Sequence, residues 1–150
     1  MPDDELKVTR KKVDDMLVAS IRFIGLVEEI PETLKTLIGQ VKELSSGQPL
    51  ALFYPSSHLK GKDDVEVCVP VSEPVEAKDL ITRKLEGGEF ITTLYHGPQE
   101  ADKAWNGLFA YINKNNIHVR APSREVYLVQ NPADPSGDVT ELQFPIIEKA

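Results

Sequence analysis

The same apolar stripe appears twice in this 150-residue chain, at helical spacing and 71 residues apart, which points to a fold built of two like halves. Ile30, Leu34, Leu37, Ile38, Val41 and Leu44 place one apolar face on a helix that opens at Pro31 and ends before Gly47. Ala101, Trp105, Leu108, Phe109 and Ile112 repeat the arrangement, with Pro98 in front and Asn115-Asn116 at the close. Further on, Val65-Glu66-Val67-Cys68-Val69-Pro70-Val71 matches Thr140-Glu141-Leu142-Gln143-Phe144-Pro145-Ile146 at an offset of 75. The growth in offset from 71 to 75 fits about four extra residues in the loop Asn131 to Gly137, whose Pro, Asp and Gly content suits a surface connection.

Each copy therefore reads β-α-β-β, with repeats near 16–75 and 89–148. The opening strands are Leu17 to Val27 and Glu89 to Tyr95, and a short strand follows each helix, Leu50 to Tyr54 and Glu125 to Val129. One-sided helices and one-sided strands predict an α+β fold, an antiparallel sheet with two helices packed on it. Between the copies, Ile81 to Leu85 followed by Gly87-Gly88 reads as a strand and tight turn feeding the second repeat. Residues 1–15 are mostly charged and read as a loosely held arm, with Val8 and Val13 able to pack or lead into the first strand. The rest, 16–150, reads as one domain.

Charge and composition exclude several functions. A net charge of −7, from 17 basic and 24 acidic residues, disfavours direct nucleic-acid binding, which draws on Lys and Arg at phosphates. With Cys68 the only cysteine, no intramolecular disulfide and no cysteine-based zinc site can form. No stretch has the pattern of a secretory signal or the length of a membrane span, so a soluble cytoplasmic protein is expected. His58, His96 and His118 lack metal-ligand spacing, and Gly87-Gly88 lacks the Lys and Ser/Thr of a phosphate loop. No metal or other cofactor is implied, and Cys68 reads as a packed thiol.

Candidate site residues come from the second repeat. Period-two geometry puts Glu125, Tyr127 and Val129 on one face of their strand and Arg124, Val126 and Leu128 on the other. Glu125 either pairs with Arg124, Arg120 or Lys84 on a solvated sheet or faces an apolar cleft. In a cleft, burial would favour the neutral acid and a cationic ligand would favour the carboxylate. Trp105, Tyr127 and Tyr54 could then add cation–π or stacking attraction. Trp105 suits core filling and cleft lining alike, and Tyr54 and Tyr95 suit ordinary packing or the ligand wall. Glu66 and Glu141 lie opposite the apolar Val67-Val69 and Leu142-Phe144 faces and are expected to be solvated or paired with neighbouring strands.

The segments Pro122-Ser123-Arg124-Glu125-Val126-Tyr127-Leu128-Val129-Gln130-Asn131-Pro132 and Thr140 to Ile146 resemble the C-terminal signature of the GyrI-like small-molecule-binding family. Tyr95-His96-Gly97-Pro98 ahead of the Trp105 helix, and Val18-Ala19-Ser20-Ile21-Arg22-Phe23-Ile24-Gly25, extend the resemblance over about 16–148. It implies a module like the effector-binding domains of MerR-type multidrug regulators and AraC-type activators, here read as a standalone member. Small, hydrophobic, sometimes cationic or planar molecules would bind between the repeats, with Glu125 as the buried carboxylate. Tyr127, Trp105 and the Phe53-Tyr54-Pro55 segment match the family's aromatic positions, whereas Phe23-Ile24-Gly25-Leu26-Val27 departs from its more polar first-repeat run.

Some standalone relatives are hydrolases of cyclopropane-bearing natural products, which makes Glu125 and Tyr127 a possible catalytic pair. The family name also leaves room for a protein-binding, gyrase-inhibitor-like role. At an offset of 73 the first copy carries Leu52 where the second carries Glu125, so the charge is expected from the second half alone.

Overall fold

The repeated stripes form the two helices. Helix α1 (Ile30–Val41) buries Ile30, Leu34, Leu37 and Val41, and α2 (Ala101–Lys114) buries Ala104, Leu108 and Ile112. The computed structural model describes residues 6–55, 61–131 and 133–147. Residues 1–5 of the expected arm, His58, Pro132 and the end of the chain, 148–150, lie outside the described residues.

The strands are β1 (Val8–Val13), β2 (Met16–Gly25), β3 (Leu50–Tyr54), β4 (Asp63–Pro70), β5 (Ile81–Leu85), β6 (Gly88–His96), β7 (Ser123–Val129) and β8 (Val139–Pro145). The chain divides into two compact units, Asp14–Gly87 and Met1–Val13 with Gly88–Ala150. In the first unit β3 pairs with β4, β4 with β2 and β2 with β5, all antiparallel. In the second, β7 pairs with β8, β8 with β6 and β6 with β1, again antiparallel. Each unit is therefore a β-α-β-β repeat with one further strand beside its opening strand, and the fold is α+β as the periodicity predicts.

Each helix starts in the same way. Glu29 Oε2 accepts the Leu26 N–H at 2.6 Å ahead of α1, and Glu100 Oε1 accepts the His96 N–H at 2.8 Å ahead of α2. Glu29 and Glu100 are themselves 71 residues apart, so the duplication carries the strand-to-helix turn as well as the stripe. At Gly97, with φ of 72°, the backbone takes a left-handed conformation that glycine adopts without strain.

The second unit has its core between α2 and one face of its sheet. Ile91, Tyr95, Ala104, Leu108, Ile112, Leu142, Phe144 and Ile146 form it, with Leu6, Val8 and Trp105 partly buried against it. Here the structure differs from the expected loose arm. Val8–Val13 is a strand in register with β6 from Val8↔Thr93 to Val13↔Gly88. The ladder holds the charged residues at the sheet edge while Leu6 packs close to α2, where a Cβ on Gly107 would lie 2.9 Å from Leu6 Cδ2.

The strand expected at Ile81 to Leu85 is β5, and the chain passes through Gly87-Gly88, with Gly88 at φ of 136°, into β6 at the start of the second repeat. Two further expectations are corrected. Ile38 and Phe109 fit the helical stripes but stand 43% and 45% exposed, because each lies at the margin of its apolar face. Finally, Ala51 faces Val67 as Glu125 faces Leu142. The repeat offset on β3 and β7 is thus 74, and Ala51 rather than Leu52 is the counterpart of Glu125.

Both repeat-marking glutamates are buried, so neither is solvated. Glu66 accepts from Arg83 of β5 (Nε to Oε2, 3.0 Å; Nη2 to Oε1, 2.7 Å) and from the Tyr54 hydroxyl at 2.6 Å. Burial alone would raise the Glu66 carboxyl, but the bonds from Arg83 and Tyr54 outweigh it and hold the group below its ordinary value. Glu141 meets Lys11 of β1 at 2.8 Å and accepts from Gln143 Nε2 at 2.7 Å.

Two outcomes follow from this packing. Leu108 is fully buried, so Leu108→Ala should cost about 2–5 kcal/mol in denaturant-induced unfolding. Because the folded Glu66 carboxyl is lowered relative to the unfolded chain, its stabilisation is present above the ordinary glutamate range and is lost as pH falls through the folded value. The stability gap between wild type and Glu66→Gln should therefore narrow below about pH 4, measured by urea titration across pH.

Candidate functional site

β6, α2 and β7 converge on one carboxylate. Glu125 Oε2 accepts from the Tyr95 hydroxyl at 3.0 Å and from Trp105 Nε1 at 3.1 Å, and Oε1 accepts from the Tyr127 hydroxyl at 3.1 Å. The sheet register explains the meeting. Thr140 of β8 stands between Tyr95 and Tyr127 on its two neighbours, and one step along, Leu142 stands between Thr93 and Glu125. Paired residues share a face, so both phenols rise on the side that carries Glu125. That is the side on which α2 packs, and its first turns bring Trp105 over the strand.

Glu125 does not pair with Arg124, whose side chain leaves the opposite face of β7 and sets its guanidinium carbon 4.4 Å from the centre of the Phe90 ring. Lys84 pairs with Asp15 at 3.2 Å. The three donors to Glu125 are neutral, and they surround the carboxylate without cancelling its charge. Tyr95 and Tyr127 are buried, whereas Glu125 and Trp105 are partly accessible. Burial first, and the Glu125 charge second, push the hydroxyl of Tyr95 well above the ordinary phenol range, and the same causes raise Tyr127. Both therefore remain protonated donors.

Of the residues singled out in the sequence, Glu125, Tyr127, Trp105 and Tyr95 come together. Tyr54 does not join them. It bonds to Glu66 within the other unit and lies under the Arg22 guanidinium, whose carbon is 3.7 Å from the ring centre. Burial and the Glu66 bond push its hydroxyl up to about 12. The 74-residue offset accounts for this: the counterpart of Tyr127 is Phe53, and one residue along a strand changes face.

Sequence reasoning placed Phe109 in the core and did not single out Phe144 for the site. The Trp105 ring lies 6.1 Å from Phe109 and 5.6 Å from Phe144, and Phe109 and Phe144 are 5.1 Å apart, so two further rings pack around the indole that donates to Glu125. The i, i+4 spacing of Trp105 and Phe109 was the available signal. Among the described residues no cluster of His, Cys, Asp and Glu could hold a metal ion.

The buried phenols give a direct check. Replacing Tyr95 or Tyr127 by Phe should leave the phenolate absorbance gained between about pH 9 and 11 unchanged, because neither ionises in the ordinary phenol range. A loss of one tyrosine's absorbance in that range would contradict the geometry.

The matched family model describes a GyrI-like small molecule binding domain and covers residues 6–147. No curated protein matches the chain. Among solved structures, the C-terminal domain of EcmrR is similar with a TM-score of 0.80 and 20% identity, over 96% of this chain and 99% of that one. A hydrolase from Listeria innocua gives 0.67 at 14% identity, over 95% and 93%. SAV2435 bound to tetraphenylphosphonium gives 0.66 at 14% identity, over 95% and 94%. These likenesses carry the fold, and among the described residues no helix is long and apolar enough to cross a membrane. With the family model spanning nearly the whole chain, this protein belongs to the GyrI-like small molecule binding domain family.

Proposed function

We propose that the chain is a receptor for lipophilic organic cations, with Glu125 as the charge-bearing contact and Trp105, Tyr95 and Tyr127 as its aromatic surround. The observation that carries this reading is the neutrality of the three donors to Glu125. Neutral hydrogen-bond donors orient a carboxylate without supplying a countercharge, and its partial burial strengthens attraction to a cation that displaces water there. Three donors leave part of the carboxylate's acceptor capacity free. Tetraphenylphosphonium, the molecule bound to SAV2435, combines a positive charge with aryl groups, which is the chemistry such a site would recognise.

A hydrolytic reading uses the same groups, with Glu125 directing water and the protonated Tyr127 donating to a leaving group. The Listeria innocua hydrolase of the same fold makes it worth testing beside the receptor reading. Turnover of a cyclopropane-bearing electrophile, abolished by Glu125→Gln, would favour it.

Trp105 is the only tryptophan and donates to Glu125, so its fluorescence should report occupancy. Titration with tetraphenylphosphonium should show saturable binding that Glu125→Gln weakens about 10- to 100-fold, while a neutral triaryl phosphine oxide is affected far less. Equal affinity of wild type and Glu125→Gln for the cation would overturn the assignment.

A further inference from the structure

The duplication supplies an internal control for the residues around Glu125. In the second unit Thr140 of β8 stands between Tyr95 and Tyr127, and two residues on, Leu142 faces Glu125. In the first unit Val65 of β4 stands between Phe23 and Phe53, and two residues on, Val67 faces Ala51. Two phenols, a hydroxyl and a carboxylate in one frame are therefore all hydrocarbon in the other. Threonine and valine have nearly the same shape, so the exchange at this strand position alters hydrogen bonding and barely alters volume.

Packing alone is satisfied by valine here, since Val65 is fully buried in the first unit. Thr140 is 6% exposed, and burying a hydroxyl is costly unless it finds a partner. The partner is the Tyr95 oxygen, to which the Thr140 hydroxyl donates. Tyr95 in turn donates to Glu125 Oε2 at 3.0 Å. A phenol carries a single proton. With the Thr140 proton held on the Tyr95 oxygen, the phenol's own proton is directed to the carboxylate. The series runs one way, from Thr140 through Tyr95 to Glu125, and each bond in such a series polarises and strengthens the next.

Resting on the reading of Glu125 as a cation contact, we infer that Thr140 is a positioning residue for that site: its hydroxyl aims the Tyr95 proton at Glu125 and so holds the carboxylate in the orientation that meets a cation. Thr140 acts through Tyr95 and not on the ligand.

The test titrates tetraphenylphosphonium and neutral triphenylphosphine oxide, by Trp105 fluorescence and by calorimetry, against wild type, Thr140→Val, Thr140→Ser, Tyr95→Phe, the double variant Thr140→Val with Tyr95→Phe, and Glu125→Gln. Thr140→Val should weaken the cation about threefold to tenfold and change the oxide less than about twofold. Thr140→Ser, which keeps the hydroxyl and loses the methyl, should stay within about twofold of wild type for both. Once Tyr95 is Phe, Thr140→Val should cause no further loss, because the phenol through which it acts is gone. A packing role gives the reverse order, with Val like wild type and Ser impaired, and that order would overturn the inference. So would a Thr140→Val loss of the same size with and without the Tyr95 hydroxyl. Either result, alongside a weakened Glu125→Gln, leaves the Glu125 reading standing. Absence of saturable cation binding to the wild-type protein, or no loss on Glu125→Gln, would overturn both.

Discussion

A carboxylate held by three neutral donors is the interaction around which the second unit is organised. Taking Glu125 partly out of water sacrifices hydration that only hydrogen bonds can replace, and bonds to a charged acceptor contribute about 1.5–3 kcal/mol each. The donors come from Tyr95 on β6, Trp105 on α2 and Tyr127 on β7, so the carboxylate ties the helix to two strands that are not themselves neighbours. Thr140 on the intervening strand supplies the small side chain between the two phenols. Packing of Leu108 and Ile112 fixes the height of the helix, and that height sets where the indole N–H falls. The core of the unit and the geometry of its candidate site are one construction.

The two repeats share this scaffold without sharing its chemistry. Glu125 has Ala51 as its counterpart by strand register, and Trp105 has Leu34 by the helix offset. Both replacements are apolar and buried. The first unit therefore closes with hydrocarbon the place where the second unit holds a charge. Duplication provides two β-α-β-β frames, while a few substitutions decide which of them holds a charged group at this place.

The architecture was legible in the sequence because it rests on periodicity. A 3.6-residue stripe repeated at one offset and an alternating strand motif repeated at another are local signals, and both survive into the structure. Period two also placed Glu125 and Tyr127 on one face. What could not be read was the identity of partners brought together from afar: the Tyr95 and Trp105 bonds span 30 and 20 residues, and no spacing rule encodes them. Tyr54 shows how fragile the local signal becomes between repeats. An offset of 73 aligns it with Tyr127, an offset of 74 puts it on the other face, and only the strand register separates the two. Phe109 was misread for a related reason, since a stripe position does not reveal how far the supporting sheet extends beneath it.

The two buried glutamates are partnered differently from the partly accessible Glu125. Glu66 and Glu141 are equivalent residues on β4 and β8, and each is buried. Each receives its cation from the strand that lies outside the repeat proper: Arg83 from β5 for Glu66, and Lys11 from β1 for Glu141. β5 and β1 hold equivalent places, each beside the opening strand of its unit, even though one follows its repeat in the chain and the other precedes it by a whole unit. The same basic side chains discourage edge-to-edge pairing with other sheets. Buried carboxylates in this fold are thus matched with cations built into the chain, because an uncompensated charge costs several kcal/mol. Among the described residues, Glu125 receives only hydroxyl and indole donors. Its three bonds orient it without supplying a countercharge, and that difference from Glu66 and Glu141 is the feature on which the proposed cation contact rests.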